Sequence, residues 1–355
     1  MLERLIKKIE KFAIFIAVWK TFLQKESHLN KSVPGKREIG LLFKGFNSKR
    51  IIPYDFKKWN YKDYISDLET IKLTYINRPY SKLLRNKIIF SNFFRNYFRT
   101  PEIYCLISKG KFIPLSLHYN LDCYDQFLKL INLINKIILK PNYSSRGKGI
   151  IFIEKEGDNF KVNAKRMNSK ELEDLLASLN NYLVCEFIEQ GDFTKKLFPL
   201  TTNTIRINSF HNPVTSKTCL KYPMLRIGIS STYPIDNISQ GGLFAFIDID
   251  TGVLQEAHQI EYPGKIKKIK IHPESSSQIE GTKVPHWDII RDSILKTAEL
   301  ISPLLKIVGW DIIVTDDNFV VLEGNNGPDF TQQGVDNTMG NDKEIQDFLA
   351  SVKAR

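Results

Sequence analysis

The 355-residue chain is poor in the features that mark several large protein classes, and each shortage removes one of them. Its four cysteines, Cys105, Cys123, Cys185 and Cys219, lie far apart and show no metal-ligand spacing. That excludes a disulfide-stapled secreted domain or a cysteine zinc module and fits a reducing cytosol, with most of the thiols packed as small hydrophobes. Long hydrophobic runs are missing as well. The apolar stretch 12–19 is closed by Lys20, and no small-residue cleavage site follows, so neither export nor a membrane span is expected. No strand–GxxxxGK[ST]–helix loop occurs, no GxGxxG follows a strand, and neither a Ser-His-Asp spacing nor an internal repeat is evident.

What remains is a folding chain with a basic balance. At 42% hydrophobic residues it is not disordered, and its length favours two or three structural units. The 51 basic against 39 acidic residues give a formal +12, which attracts nucleic acid, an anionic membrane face or an acidic substrate without choosing among them. The run 265–270, Lys-Ile-Lys-Lys-Ile-Lys, reads as a strand edge guarded by lysines, so no nucleic-acid partner is expected. Leu2, Leu5, Ile6, Ile9, Phe12, Ile16 and Trp19 recur at helical spacing with Lys7, Lys8 and Lys11 among them. Such a helix either packs its stripe on the rest of the protein or rests peripherally on the inner membrane face through residues 2–19.

Apolar patterning predicts a loop-rich stretch over 31–60, helices over 61–98 divided at Pro79, and a helix over 169–179 capped by Ser169. Strands are expected at 136–139, 149–153, 161–164, 182–188, 204–210, 220–227 and 243–249. A helix over 287–305 then precedes a final pair of strands. Without a regular β-α-β beat, the class is α+β.

Two constellations carry chemistry. Lys140-Pro141 leaves a strand and enters Ser144-Ser145-Arg146-Gly147-Lys148-Gly149, whose small residues let backbone N–H groups approach phosphate oxygens. Much later, Asp311 on one strand and Glu323 and Asn325 on the next flank the turn Asp316-Asp317-Asn318, so three oxygen donors can converge. Magnesium takes one or two carboxylates plus substrate phosphates, which suits that set; a pair of exposed strand-end carboxylates is the plain alternative. His272 and His286 have no second ligand or acid at a telling spacing and read as structural or as substrate contacts.

The order of short motifs then resembles a family. Asn203-Thr204-Ile205-Arg206-Ile207, Leu225-Arg226-Ile227-Gly228, Asp236-Asn237 with Gly241-Gly242, Ile247-Asp248 with Thr251-Gly252, Gly309-Trp310-Asp311 and Leu322-Glu323-Gly324-Asn325 are similar to the sugar-transfer-associated ATP-grasp proteins of bacterial surface-polysaccharide biosynthesis. The resemblance covers about residues 80 to 335, and residues 1–80 match only loosely. It implies an ATP-grasp fold: two α+β lobes holding ATP between them, over 81–190 and 191–345, behind a mainly helical N-terminal region over 1–80.

By that resemblance Lys87, Lys140, Ser144, Ser145, Gly147, Lys148 and Gly149 bind the nucleotide phosphates. Glu186, Phe187, Ile188 and Glu189 form the hinge that meets adenine. Asp311, Glu323 and Asn325 hold magnesium, and Arg206 and Arg226 are catalytic, facing phosphate or the acyl substrate. Asp236, Asn237, Gly241 and Gly242 belong to a region specific to the subgroup and are placed with substrate, as are Asp329 and Gln332 just beyond the metal motif.

The implied function is a cytoplasmic ATP- and Mg-dependent carboxylate-amine ligase acting through an acyl phosphate. Its partners would be an acidic sugar or glycan and an amine or amino acid, joined as an amide on a uronic-acid sugar of a capsule or other surface polysaccharide. A phosphotransferase that stops at the phosphorylated acceptor, and a non-catalytic nucleotide-binding accessory of a glycan assembly system, stand as alternatives.

Overall fold

Alternating apolar residues build two seven-stranded antiparallel sheets, each packing one face under helices. The computed structural model describes residues 2–32, 37–48, 54, 56, 60–143, 147–261, 265–327, 330, 335 and 338–353. The first sheet holds β1 (Ile103–Ser108), β2 (Lys111–Pro114), β3 (Lys136–Pro141), β4 (Ile151–Glu156), β5 (Asn159–Val162), β6 (Lys165–Met167) and β7 (Tyr182–Glu186), in the order β2-β1-β7-β3-β4-β5-β6. The second holds β8 (Thr204–Asn212), β9 (Lys217–Ile227), β10 (Leu243–Ile247), β11 (Leu254–Glu261), β12 (Lys265–Ile269), β13 (Ile307–Val314) and β14 (Phe319–Asn325), in the order β12-β11-β10-β9-β8-β13-β14.

Ten helices are described: α1 (Leu2–Ser32), α2 (Ile39–Phe43), α3 (Asp67–Leu73), α4 (Lys82–Arg85), α5 (Lys87–Phe94), α6 (Tyr124–Ile134), α7 (Ser169–Ser178), α8 (Asp192–Leu197), α9 (Trp287–Ile301) and α10 (Lys343–Lys353). In the first lobe Phe127 and Ile131 of α6 and Leu172 and Leu176 of α7 pack on Ile107, Ile137, Leu139 and Ile153. Strand alternation therefore turns Ile138 and Lys140 to the opposite face. In the second, Trp287, Ile290 and Ile294 of α9 share a core with Ile205, Ile207, Leu225, Trp310 and Ile312. The same alternation leaves Thr204, Arg206 and Asp311 on the other face.

Residues 84–98 precede the first sheet in sequence but belong to the core of the second. Leu84, Phe90, Phe94 and Phe98 are buried there, with Phe94 and Phe98 edge-on to Trp310. Gly324 makes this approach possible: a Cβ on it would lie 2.7 Å from Leu84 and 2.8 Å from Phe90. Lys87 is thereby carried to the edge of β14.

Several expectations shift. The stretch 61–98 is not two helices but α3, α4, α5 and a short 3-10 turn, Tyr61–Asp63. Asn168, not Ser169, caps α7: its side chain accepts from Glu171 N, and the Glu171 carboxylate accepts from Asn168 N. The strand expected at 161–164 splits into β5 and β6 around a turn, and α9 ends at Ile301 rather than 305. Most of the lysine run forms β12, an edge strand whose Lys267 and Lys268 pair with Glu261 and Glu256, and Lys270 just beyond it pairs with Glu280. No helix among the described residues is long and apolar enough to cross a membrane.

Candidate active site

The face of β8, β9, β13 and β14 turned away from α9 gathers charge around Asp311. Its carboxylate accepts Arg206 Nε at 2.5 Å and Nη2 at 2.9 Å, and Arg226 Nη2 lies 3.3 Å away. Asn325 Nδ2 stands 3.3 Å from the same oxygen that faces Arg226. Asp311 is 4% exposed, so burial pushes against its ionisation, yet Arg206 and Arg226 outweigh that and hold the carboxyl down at about 2. Arg226 is gripped again by Asp236, 3.5 Å away, which itself accepts from Thr204 N and Oγ1. Burial raises the pKa of Asp236 despite that arginine.

Glu323 joins this face because of a β-bulge. Asp311 pairs with Glu323, but Ile312 pairs with Val321, so β14 spends one extra residue at Leu322. Without it Glu323 would follow Val321 into the core; with it Glu323 and Asn325 stand beside Asp311. Lys87 Nζ reaches 3.9 Å from Glu323, and burial lowers the Lys87 pKa, with Glu323 opposing and Lys140 adding to the shift. Lys87, only 18% exposed in its side chain, is thus no free helical lysine. It sits between Lys140 of the first sheet and Glu323 of the second.

The chain passes from the first sheet to the second over residues 187–191. Glu186 N bonds Glu102 O in the first sheet, and Gly191 N bonds Val314 O in the second. Between them Phe187, Ile188 and Glu189 have no backbone partner among the described residues, so this short bridge offers free N–H and C=O groups. Apolar walls stand on both sides: Ile138, Cys185 and Phe187 on one, Ile188, Ile313 and Leu322 on the other. The Glu186 carboxylate is engaged by Arg99 and Glu102 N, and that of Glu189 by Lys136, so the two side chains are tied down around the bridge.

Of the glycine-rich loop, Ser144 and Ser145 lie outside the described residues. Gly147, at φ +68, touches the second lobe, since a Cβ there would meet Ile235 at 2.5 Å. Lys148 and Gly149 are exposed. The loop's root is fastened where Asn86 Nδ2 donates to Tyr143 OH at 2.7 Å while Asn86 Oδ1 caps α5 beside Lys87. In the subgroup-specific segment only Asp236 enters the charged cluster. Asn237 caps a short turn, Gly242 N bonds back to Asn237 O, and Gly241 O accepts from Gln259. Asp329 and Gln332 lie outside the described residues.

One residue of this face was not singled out by sequence reasoning. Asn208, fully buried one alternation beyond Arg206, has no hydrogen-bond partner for either side-chain atom among the described residues. Its signal was the i+2 step from Arg206 along β8. His272 is buried against Phe198 and its ring donates to Gly228 O, and the His286 ring donates to Asp316 O at the start of α9.

No group of three His, Cys, Asp or Glu side chains is gathered for a metal among the described residues. The available donors are two carboxylates, Asp311 and Glu323, with the Asn325 amide. Glu323 is a third exposed and has room for a ligand, and the Arg226 contact to Asp311 is the longest of that carboxylate's arginine contacts. This oxygen set fits magnesium whose shell is completed by phosphate and water.

A family model described as sugar-transfer associated ATP-grasp matches residues 69–350. No curated protein matches the chain. Among solved structures it is similar to D-alanyl-alanine synthetase A from Vibrio cholerae, at 8% identity over 77% of this chain and 67% of that one, TM-score 0.44. Similar too are D-alanine-D-alanine ligase from Helicobacter pylori, at 14% identity over 77% and 61%, TM-score 0.41, and the ATP-grasp ligase PsnB with its minimal precursor, at 14% over 78% and 63%, TM-score 0.38. The chain spans less than two thirds of the last two. These likenesses are too distant to bear on the site.

Proposed function

Since the chain belongs to the sugar-transfer associated ATP-grasp family, we propose that it is an ATP- and magnesium-dependent carboxylate-amine ligase of the cytoplasm. Its product would be an amide on a uronic-acid sugar destined for a capsule or other surface polysaccharide. The observation that carries this reading is the 3.9 Å approach of Lys87, on α5, to Glu323 of the second sheet, with Lys140 of the first sheet near enough to help lower the Lys87 pKa, beside two apolar walls joined by a bridge with no backbone partner among the described residues.

In this reading adenine lies between the walls and bonds the free groups of residues 187–189. Lys87, Lys140 and the loop through Gly147, Lys148 and Gly149 hold the phosphates. Asp311, Glu323 and Asn325 hold magnesium, which when bound neutralises phosphate charge. Arg206 and Arg226 orient the acceptor carboxylate and stabilise the transferring phosphoryl group, a task of positioning and charge rather than of covalent catalysis. The carboxylate oxygen attacks the γ-phosphorus and ADP leaves. The amine then attacks the acyl carbon, phosphate departs with that oxygen, and the amine proton passes to solvent. Asp236 fixes Arg226, and Asn208 offers the acceptor an unused amide.

The test is ADP release by the purified protein with magnesium and a panel of uronic-acid glycosides, each with and without amines or amino acids. Release that needs both partners, with a condensed product of matching mass, is the expected result. A phosphorylated acceptor that never condenses would replace ligase by phosphotransferase. ATP binding with no turnover on any pair would favour the accessory reading.

A further inference from the structure

The first helix carries an apolar line that none of the described residues covers. α1 is fastened through its second half, where Val18 and Phe22 are buried against Ile71 of α3. Ile9, Phe12, Ile16, Trp19 and Leu23 run along a different side, three and four residues apart, with exposures of 59%, 65%, 51%, 36% and 57%. Residues 8–13 are exposed all round. A contiguous apolar strip of this length on a charged protein marks an interaction surface.

We propose that this strip seats α1 on the surface of an anionic lipid bilayer, lying in the membrane plane. Its composition is that of an interfacial helix, with Phe, Trp, Ile and Leu on one side and lysines beside them. Lys8 and Lys20 are exposed and flank the line on its two sides, placed to meet acidic headgroups while the apolar side chains enter the acyl boundary. A second copy of the chain fits the same face less well. In a paired helix with Ile9 and Ile16 at equivalent seam positions, the flanks are Lys8 and Phe15 on one side and Ala13 and Lys20 on the other. No acidic side chain stands there to answer the lysines, so pairing would lack the flanking attraction that a coiled coil gains. The helix is also not apolar enough to span.

The experiment is sedimentation of the full chain with phosphatidylcholine vesicles, with and without phosphatidylglycerol. The protein should pellet with the anionic vesicles and be released by raised salt. Phe12→Glu with Ile16→Glu should weaken binding by about tenfold or more, since two large apolar side chains no longer leave water. Its thermal unfolding should match the parent's, because both positions are exposed. Lys8→Glu with Lys20→Glu should weaken binding to the anionic vesicles as well. A parent that stays in solution with phosphatidylglycerol vesicles, or pellets equally with neutral ones, overturns the proposal. So does a dimer formed in place of vesicle binding and dissolved by the paired glutamates.

Discussion

Arg206 and Asp311 form a two-pronged pair across the neighbouring strands β8 and β13, Nε on one carboxylate oxygen and Nη2 on the other. A fork of two nitrogens fixes both distance and plane, whereas an ammonium fixes neither. Arg206→Lys keeps the charge and loses the fork. We expect it to lower ADP release by about tenfold or more while retaining some activity, with a smaller fall in unfolding temperature. Steady-state kinetics on the variant decide this, and parental turnover would remove Arg206 from the catalytic set.

The same pair makes stability depend on acid. Asp311 ionises at about 2 in the folded chain, below its ordinary 3.8, because the two arginines outweigh burial. A depressed carboxyl contributes stability that is complete above the ordinary value and is lost as pH falls through about 2, on the order of 2 kcal/mol here. Asp236 works the other way: burial raises its pKa, so the folded chain takes up that proton more readily and recovers a little stability on acidification. Unfolding midpoints measured between about pH 5 and about pH 2 should fall more steeply for the parent than for Asp311→Asn. Parallel slopes would mean that another carboxylate governs the acid limb.

The residues of this cluster were legible in the sequence, but their meeting was only half so. Motif order and strand alternation suffice to put Thr204 and Arg206 on one face, and a turn at Asp316-Asp317-Asn318 suffices to pair β13 with β14. Alternation alone fails at Leu322, where one extra residue turns Glu323 out of the core. A bulge depends on how two strands fit, so a single strand's pattern does not announce it. The place of Lys87 was hidden for the same kind of reason: Phe90 and Phe94 read as an ordinary apolar helix, and only the room left by Gly324 shows which sheet they cover. The cap of α7 was readable, since Asn168-Ser169-Lys170-Glu171 carries the reciprocal spacing one residue earlier than Ser169 suggests.

Asn203 was visible as part of a motif, and its physical task is to tie three segments together. Its amide nitrogen approaches Gln190 Oε1, Thr194 O and Phe198 O, and its oxygen accepts from Gly228 N and Thr201 Oγ1. All of this is buried, so Asn203→Ala orphans several groups at once and should cost about 3 kcal/mol. Denaturant unfolding of the variant measures it. A loss below about 1 kcal/mol would mean that water or a relaxed loop replaces the amide.

Glu323 should separate binding from folding. Its carboxylate is paired with Lys87 at 3.9 Å and is a third exposed, so Glu323→Ala should change stability by less than about 1 kcal/mol. Magnesium-dependent ADP release should fall by roughly two orders of magnitude. Activity regained at higher magnesium would show weakened metal affinity, and activity unchanged at any magnesium would remove Glu323 from the metal set.

Asn208 offers the sharpest division between a structural and a functional role. Among the described residues the buried Asn208 amide has no partner for its nitrogen or its oxygen, and an amide in that state is a net cost to the fold, since it gave up water and received nothing. Removing it should therefore be close to neutral: Asn208→Ala loses some packing but also removes the desolvated amide, leaving unfolding free energy within about 1 kcal/mol of the parent. A residue kept only for the fold would behave oppositely, as Asn203 should. If the amide instead bonds the acceptor once the cleft is filled, the same variant should raise the acceptor KM about tenfold and leave the KM for ATP alone. The two readouts together are decisive, because a fall in stability with unchanged KM would place Asn208 among the groups that hold β8 to β13 rather than among those that meet substrate.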